Sequence, residues 1–329
     1  MMLGKVCVGI VSVSACIPLT LLLGCWGIGP GNGQQPLGVR WEDVNDFLYQ
    51  LQNIDLSAIG NTRFDLVIMD YSSDGSDEGR FTANQIGALK NSPGGPKLVV
   101  AYMSIGEAEN YRWYWQGEWD ADNDGSPDPG APSWLGPSNP DWPGNYKVRY
   151  WEPAWQNLIY GTSDSYLDRI VSAGFDGVYL DIIDAYEYWG PGGDSGENRE
   201  SAEQEMVAFV KAIAAYARLL SENAEFGVFP QNGEGLSSHS DYVTAVTGLG
   251  KEDTWYDGDS PQPASETNEV LAHLDVFQQA EKLVLVIDYV TEQDLIADFY
   301  TKARSRGYVP YATGRELDTL TINGGHEPD

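Results

Sequence analysis

Phe64-Asp-Leu-Val-Ile-Met-Asp70 returns, 111 residues further on, as Phe175-Asp-Gly-Val-Tyr-Leu-Asp181, and both obey the pattern F-D-x-V-x-[ML]-D. Each copy introduces an apolar strand that ends on an acid, which suggests related βα units. A third run, Leu283 to Ile287, also closes on an acid, Asp288. Outward from these, short apolar runs at Phe47 to Leu51, Leu66 to Met69, Leu98 to Met103, Val178 to Leu180, Phe226 to Phe229, Tyr242 to Val246, Leu283 to Ile287 and Val309 to Ala312 give eight predicted strands. Such near-continuous hydrophobicity is what parallel strands covered on both faces require. Helical patterns alternate with them. Thr82-Ala-Asn-Gln85 and Thr291-Glu-Gln-Asp294 have capping-box spacing, and Met206, Phe209, Val210, Ile213, Ala217 and Leu220 form one apolar face. Strand then helix, eight times over, predicts an α/β fold, a (β/α)₈ TIM barrel. A doubly wound open sheet is the runner-up, but no G-x-G-x-x-G follows the first strand and no P-loop occurs.

The chain has 329 residues, 42% of them hydrophobic, too apolar for a disordered segment. Its formal charge of −30 argues against a nucleic-acid partner, because phosphate recognition needs Lys and Arg. A cationic partner, or acidic solubility alone, fits better. Residues 1–24 carry one basic residue, Lys5, then an apolar stretch from Val6 to Leu23, the pattern of an export signal. Leu22-Leu-Gly-Cys25 also resembles a bacterial lipobox; ordinary cleavage and an uncleaved anchor are the alternatives. All three cysteines (Cys7, Cys16, Cys25) fall here, so the remainder offers no disulfide, cysteine nucleophile or thiolate metal site. Residues 25–37 read as a flexible linker and 38–329 as a single domain, with a Trp- and Asp-rich insertion at 117–145 after strand three. The expected destination is extracellular, periplasmic or a cell-surface lipoprotein, with the membrane touched only through that N-terminal segment.

In a barrel the carboxyl ends of the strands form the functional face. That rule selects Asp70, Tyr102, Ser104, Glu107, Asp181, Asn232, Glu234, Glu252 and Asp288. For any one acid the plain alternative is a helix cap or a loop salt bridge; it is the clustering that points to chemistry. Two carboxylates flanking a bond are the minimal equipment for glycoside hydrolysis. With three His, no HExxH and no G-x-S-x-G elbow, a zinc hydrolase or serine esterase is disfavoured.

Tyr102-Met-Ser-Ile-Gly-Glu107-Ala-Glu-Asn-Tyr-Arg112, Asn145-Tyr-Lys-Val-Arg-Tyr-Trp-Glu-Pro-Ala-Trp155, Gly174-Phe-Asp-Gly-Val-Tyr-Leu-Asp181 and Pro230-Gln-Asn-Gly-Glu234 resemble, in order, glycoside hydrolase family 114, the endo-α-1,4-polygalactosaminidases. The resemblance runs from about Trp41 to Gly314. It implies a (β/α)₈ fold, retaining endo-hydrolysis of galactosamine-rich polysaccharide, and a catalytic pair on Asp181 and Glu234, the first as nucleophile and the second as general acid/base. Asp70, Tyr71, Tyr102, Glu107, Asn232, Glu252 and Asp288 are the expected substrate-binding residues. The acids among them would attract the ammonium groups of a partly deacetylated chain. Tyr71, Trp113, Trp115, Tyr186, Trp189 and Trp255 are candidates for stacking on sugar rings, with loop packing as the alternative. Arg112 and Arg149 would orient cleft carboxylates.

Asp120-Ala-Asp122-Asn-Asp124-Gly-Ser-Pro-Asp128 places oxygens at positions 1, 3, 5 and 9 of an EF-hand-like loop but has Ala131 at position 12, where a bidentate Glu belongs. It marks Asp120, Asp122, Asp124 and Asp128 as a candidate structural calcium site, with an acidic turn as the alternative. The chemistry itself needs no cofactor. The expected protein is an exported, monomeric glycoside hydrolase acting on an amino-sugar polysaccharide. Its rivals are a non-catalytic carbohydrate-binding protein on the same scaffold and a surface adhesin contacting protein through the insertion.

Overall fold

Eight strands run in chain order: β1 (Phe47–Gln50), β2 (Leu66–Asp70), β3 (Leu98–Ser104), β4 (Gly177–Asp181), β5 (Gly227–Pro230), β6 (Gly248–Glu252), β7 (Leu283–Asp288) and β8 (Val309–Ala312). The structure, a computed structural model, describes residues 38–329; the expected export signal, lipobox and linker lie outside the described residues. Strands β1 to β5 form one parallel sheet and β6 to β8 a second. In register, Asp70 lies beside Tyr102 and Ser104 beside Asp181, so the polar strand ends gather on one face.

The two sheets complete a barrel whose ladder is interrupted at two seams. Across β5 and β6 the chain makes one parallel bridge, Gln231 to Gly250, with Asn232 N–H donating to Gly250 O at 2.8 Å. Across β8 and β1 the Phe47 and Tyr311 rings pack 5.5 Å apart, and Leu51 N–H donates to Leu317 O at 2.8 Å. The (β/α)₈ expectation therefore holds. The leading acids of the repeated motif explain its recurrence: Asp65 accepts the Asn45 N–H and Asp176 the Val99 N–H, each at 2.9 Å, so each pins the start of a neighbouring strand.

The sixth strand is a correction. Tyr242 to Val246 is mostly helix (Ser240–Ala245), and the strand follows as Gly-Leu-Gly-Lys-Glu. Its glycines hide it from an apolar-run reading, yet the barrel needs them: a Cβ on Gly250 would sit 1.8 Å from Tyr179 Oη, and one on Gly248 2.2 Å from Leu283 O. Aromatic rings fill the interior where strand side chains are missing, with Tyr49 and Tyr179 centred 5.2 Å apart.

Of the two expected capping boxes, Thr82 forms its own, with Thr82 N–H donating to Gln85 Oε1 at 2.9 Å. Thr291 does not; its N–H and hydroxyl both bind Asp259 at 2.7 Å, and helix Gln293–Ser305 starts from Glu292. Helix Ala202–Leu220 buries Met206, Phe209, Val210, Ile213 and Ala217. Each large apolar side chain so buried contributes about 1.5–3 kcal/mol. After β3 the insertion forms its own antiparallel sheet from Glu107–Glu109, Leu135–Ser138 and Asn145–Val148, the last in the middle. Trp115, Trp119, Trp134 and Trp155 pack edge and face beneath it, with successive centroids 4.8 to 5.3 Å apart where they touch.

Candidate active site

A cleft of about 600 Å³ opens at the carboxyl ends of the strands, within the usual range for a ligand site. Asp181 ends β4 at its floor. Tyr102 Oη donates to its Oδ2 at 2.6 Å and Ile182 N–H to its Oδ1 at 2.8 Å. Ile182 has φ +58°, a left-handed conformation that a β-branched residue rarely adopts. Burial first, then the charge of Glu252, pushes the Asp181 carboxyl well above the usual range, while its two donors oppose the rise.

Glu252 comes from the end of β6 and lines the same cleft. Asn232 Nδ2 donates to its Oε2 at 3.1 Å, and the Tyr289 hydroxyl meets its Oε1 in a short hydrogen bond. Asn232 stands where it does because the chain leaves β5 through two left-handed residues, Asn232 and Gly233, with φ of +60° and +62°. A Cβ on Gly233 would lie 2.5 Å from Ile183 Cγ2, so this turn requires glycine. The turn carries Glu234, the expected partner of Asp181, into a short 3₁₀ helix (Glu234–Ser238). There its carboxylate pairs with Lys251 at 3.3 Å, and it is not among the residues lining the cleft. The carboxylate whose charge bears most on Asp181 is Glu252.

Of the other expected substrate-binding residues, Asp70, Tyr102, Glu107 and Asn232 line the cleft. Asp70 is gripped by Arg112 through two bonds of 2.9 and 2.7 Å, and the same guanidinium reaches Glu109 at 2.5 Å. Those two carboxylates hold Arg112 charged and its pKa well above the ordinary value. Glu107 is fully buried and binds Lys147 at 2.5 Å and Asn139 at 2.9 Å. Tyr71 and Asp288 are corrections. Tyr71 is buried against Tyr166, centroids 4.9 Å apart, beneath the cleft wall. Asp288 is fully buried and accepts the backbone N–H groups of Thr254, Trp255 and Tyr256 at 2.7 to 3.1 Å. It holds the loop after β6, and burial raises its carboxyl to about 7.

Among the expected stacking residues, Trp189 and Trp255 are core, and Trp115 packs in the insertion. Trp113 lies against the Arg169 guanidinium, 3.8 Å from its ring centroid. Arg149 pairs with Glu197 outside the cleft. The exposed rings at the cleft are instead Tyr111 and Trp142, 47% and 51% exposed. A signal existed for both: Tyr111 lies in the block around Glu107, and Trp142 stands between Asp and Pro-Gly inside the insertion.

Eight carboxylates line the cleft, including Asp181, Asp184, Glu252 and Glu316, against one cationic side chain, Arg315. Asp184 is pushed up to about 6, chiefly by burial and then by Glu187. It also borders a neighbouring cavity of about 820 Å³ walled by Tyr186, Glu187, Tyr188, Asp194 and Glu203. In the acidic loop, oxygens of Asp120, Asp122 and Asp124 lie within 4.8 Å of one another, whereas Asp128 turns away to accept the Ala121 N–H at 2.8 Å. Among the described residues no helix is long and apolar enough to cross a membrane.

Comparison with known proteins adds a family match, two relatives in sequence and two in structure. The profile of glycoside-hydrolase family GH114 matches residues 34–326. An uncharacterized protein of Methanocaldococcus jannaschii is 40% identical over 284 residues, 83% of this chain and 77% of its own. One of Thermotoga maritima is 36% identical over 295 residues, 86% and 85% of the two chains. The glycoside hydrolase domain of PelA from Pseudomonas aeruginosa superposes with a TM-score of 0.61 at 17% identity, covering 85% of this chain and 98% of that one. Aspergillus fumigatus Ega3, solved in complex with galactosamine, superposes with a TM-score of 0.60 at 18% identity, over 83% and 92%. At those identities the likeness establishes the fold.

Proposed function

Because this chain belongs to glycoside-hydrolase family GH114, we propose that it is a retaining endo-hydrolase of an α-1,4-linked, galactosamine-rich polysaccharide, with Asp181 and Glu252 as its carboxylate pair. The observation that carries this reading is the pair itself, two coupled carboxylates at the ends of β4 and β6 in one acidic cleft. Burial and the charge of Glu252 push the Asp181 proton affinity up, and the Tyr102 and Ile182 donors oppose that rise and favour the ionised form that attack requires. Asp181, addressed on both oxygens by donors, attacks the anomeric carbon as the C–O bond breaks. Glu252 passes its proton to the departing oxygen, then takes one from the water that releases the sugar from Asp181.

The excess of cleft carboxylates suits a sugar bearing ammonium groups. Ega3 was solved with galactosamine, which supports the same choice here. A second cavity that shares Asp184 with the cleft gives a longer chain further surface to bind, as internal cleavage demands. Exposed Tyr111 and Trp142 offer ring faces at the rim. Export through residues 1–24, with or without a lipid on Cys25, and a monomeric state complete the proposal; cell fractionation and light scattering test them. Calcium in the Asp120 loop would brace the insertion only, and a titration yielding neither heat nor a change in Tm would refute it.

The test is mass spectrometry of products from partly deacetylated α-1,4-polygalactosamine treated with wild type, Asp181→Asn, Glu252→Gln and Glu234→Gln. Oligosaccharides lost in the first two variants and retained in the third support the assignment. No release by wild type from this polymer would remove the substrate reading, and loss only in Glu234→Gln would return the acid/base role to that residue.

A further inference from the structure

Asp184 is a cleft carboxylate to which the fold gives no partner. It stands at the start of helix Ala185–Trp189, yet its side chain makes no capping hydrogen bond. Among the described residues it enters no ion pair, although two lysines reach it with their charge. The two roles that account for most surface acids, a helix cap and a salt bridge, are therefore both absent. It lies three residues beyond Asp181, near enough for its charge to bear on that carboxyl, and it borders both the cleft and the neighbouring cavity.

Each of the two lysines is committed elsewhere. Lys147 Nζ donates to Glu107 Oε1 at 2.5 Å, while Lys251 Nζ lies 3.3 Å from Glu234 Oε1 and donates to Asn232 Oδ1 at 3.3 Å. Glu107 holds Lys147 for a physical reason. Its side chain is wholly buried and borders the cleft, and its Oε2 has no donor among the described residues, so Asn139 and Lys147 on Oε1 are what offset its charge. Lys147 also shows that this wall accepts an ammonium, since its Nζ lies 5.2 Å from the Tyr188 ring centroid.

Resting on the reading of the substrate as a galactosamine-rich chain, we infer that Asp184 selects a free amine over an acetamide on the sugar unit beside the scissile bond, with Glu107 and Glu234 keeping Lys147 and Lys251 off it. A sugar ammonium brings three donors and a full charge to this carboxylate, whereas an acetamide brings one neutral N–H, and hydrogen bonds between charged groups are the stronger kind. Glu107 and Glu187 add to the negative potential that such a cation meets.

The experiment is calorimetric binding of an α-1,4-galactosamine oligosaccharide and of its N-acetylated counterpart to Asp181→Asn, chosen so that neither is cleaved. The same protein is compared with Asp184→Asn, with Glu107→Gln, and with Glu107→Gln and Lys147→Met together added to it, Tm confirming that each is folded. The parent binds the free amine about tenfold more tightly than the acetamide. Adding Asp184→Asn removes that preference, weakening the amine form about tenfold and leaving the acetylated form within about twofold. Glu107→Gln releases Lys147 toward Asp184 and lowers the preference, and removing Lys147 as well restores it. Equal affinity of the parent for both sugars, equal losses for both in Asp184→Asn, or a Glu107→Gln defect that Lys147→Met does not relieve would overturn the inference and leave the glycoside hydrolase reading standing. A parent that binds neither oligosaccharide would remove the galactosamine reading, and this inference with it.

Discussion

Replacing Arg112 with Met tests how the cleft wall is held. Arg112 has no exposed side-chain surface, and its carboxylate partners Asp70 and Glu109 are 9% and 1% exposed on the same measure. The guanidinium makes three charge-assisted bonds to them. It also lies 5.6, 4.9 and 5.5 Å from the ring centroids of Tyr71, Tyr111 and Tyr166. Met fills part of the volume but strands two buried carboxylates, and breaking a buried pair from one side costs about 3–5 kcal/mol. At roughly 2–3 °C per kcal/mol for a domain of this size, Tm falls by about 6–15 °C. The deficit must depend on pH. Burial already raises the Asp70 carboxyl against the opposing pull of Arg112; without the cation it rises further, so the variant's stability is least impaired below about pH 4 and progressively worse as pH rises through the raised value. Differential scanning fluorimetry of wild type and Arg112→Met from pH 4.5 to 8 reads this directly. A loss under about 1 kcal/mol, or a loss equal at both ends of the range, would refute the buried-pair account.

Trp142→Ala and Tyr111→Ala each raise KM for polymer by roughly 2- to 10-fold at unchanged kcat, the worth of one ring face; steady-state kinetics check this, and a fall in kcat alone counts against a stacking role. Gly250→Ala destabilises by about 1–3 kcal/mol in urea, because its Cβ would meet Tyr179 Oη at 1.8 Å; adding Tyr179→Phe recovers part of the loss. Asp288, raised to about 7, and Asp184, raised to about 6, both bind a proton more tightly folded than unfolded. Their contribution is complete below about pH 4 and lost as pH climbs through 6 and 7, so the urea midpoint falls between pH 5 and 8. Asp288→Asn reduces that slope, and an unchanged slope excludes Asp288 as its source.

The barrel was legible because seven of its strands are apolar runs, and the eighth was not because β6 has the sequence Gly-Leu-Gly-Lys-Glu. Its glycines answer to Tyr179 and Leu283 across the barrel, partners no local pattern reveals. The same limit governs the site. Asp181 is visible at the end of an apolar run, whereas the proposal of Glu252 in place of Glu234 rests on two left-handed residues that turn the chain after β5. Asp288 ends an apolar run just as Asp181 does, but three backbone N–H groups claim it. Aromatic residues were the least legible, since a Trp in a loop-like segment reads alike whether it packs beneath a sheet, as Trp115 does, or stands at the rim, as Trp142 does.

The crossover after β3 supplies Glu107, Glu109, Tyr111, Trp142 and Asn145 to the cleft, while Asp181 and Glu252 come from the barrel strands themselves. On the proposed assignment, sugar selection and bond cleavage are thereby encoded in separate parts of the chain. The stretch from Gly106 to Val148 begins and ends close together, Val148 N–H donating to Gly106 O at 3.3 Å. It is therefore a transplantable cassette: exchanged between barrels of this family, it would carry one wall of the binding surface with it and leave the hydrolytic machinery of the recipient intact.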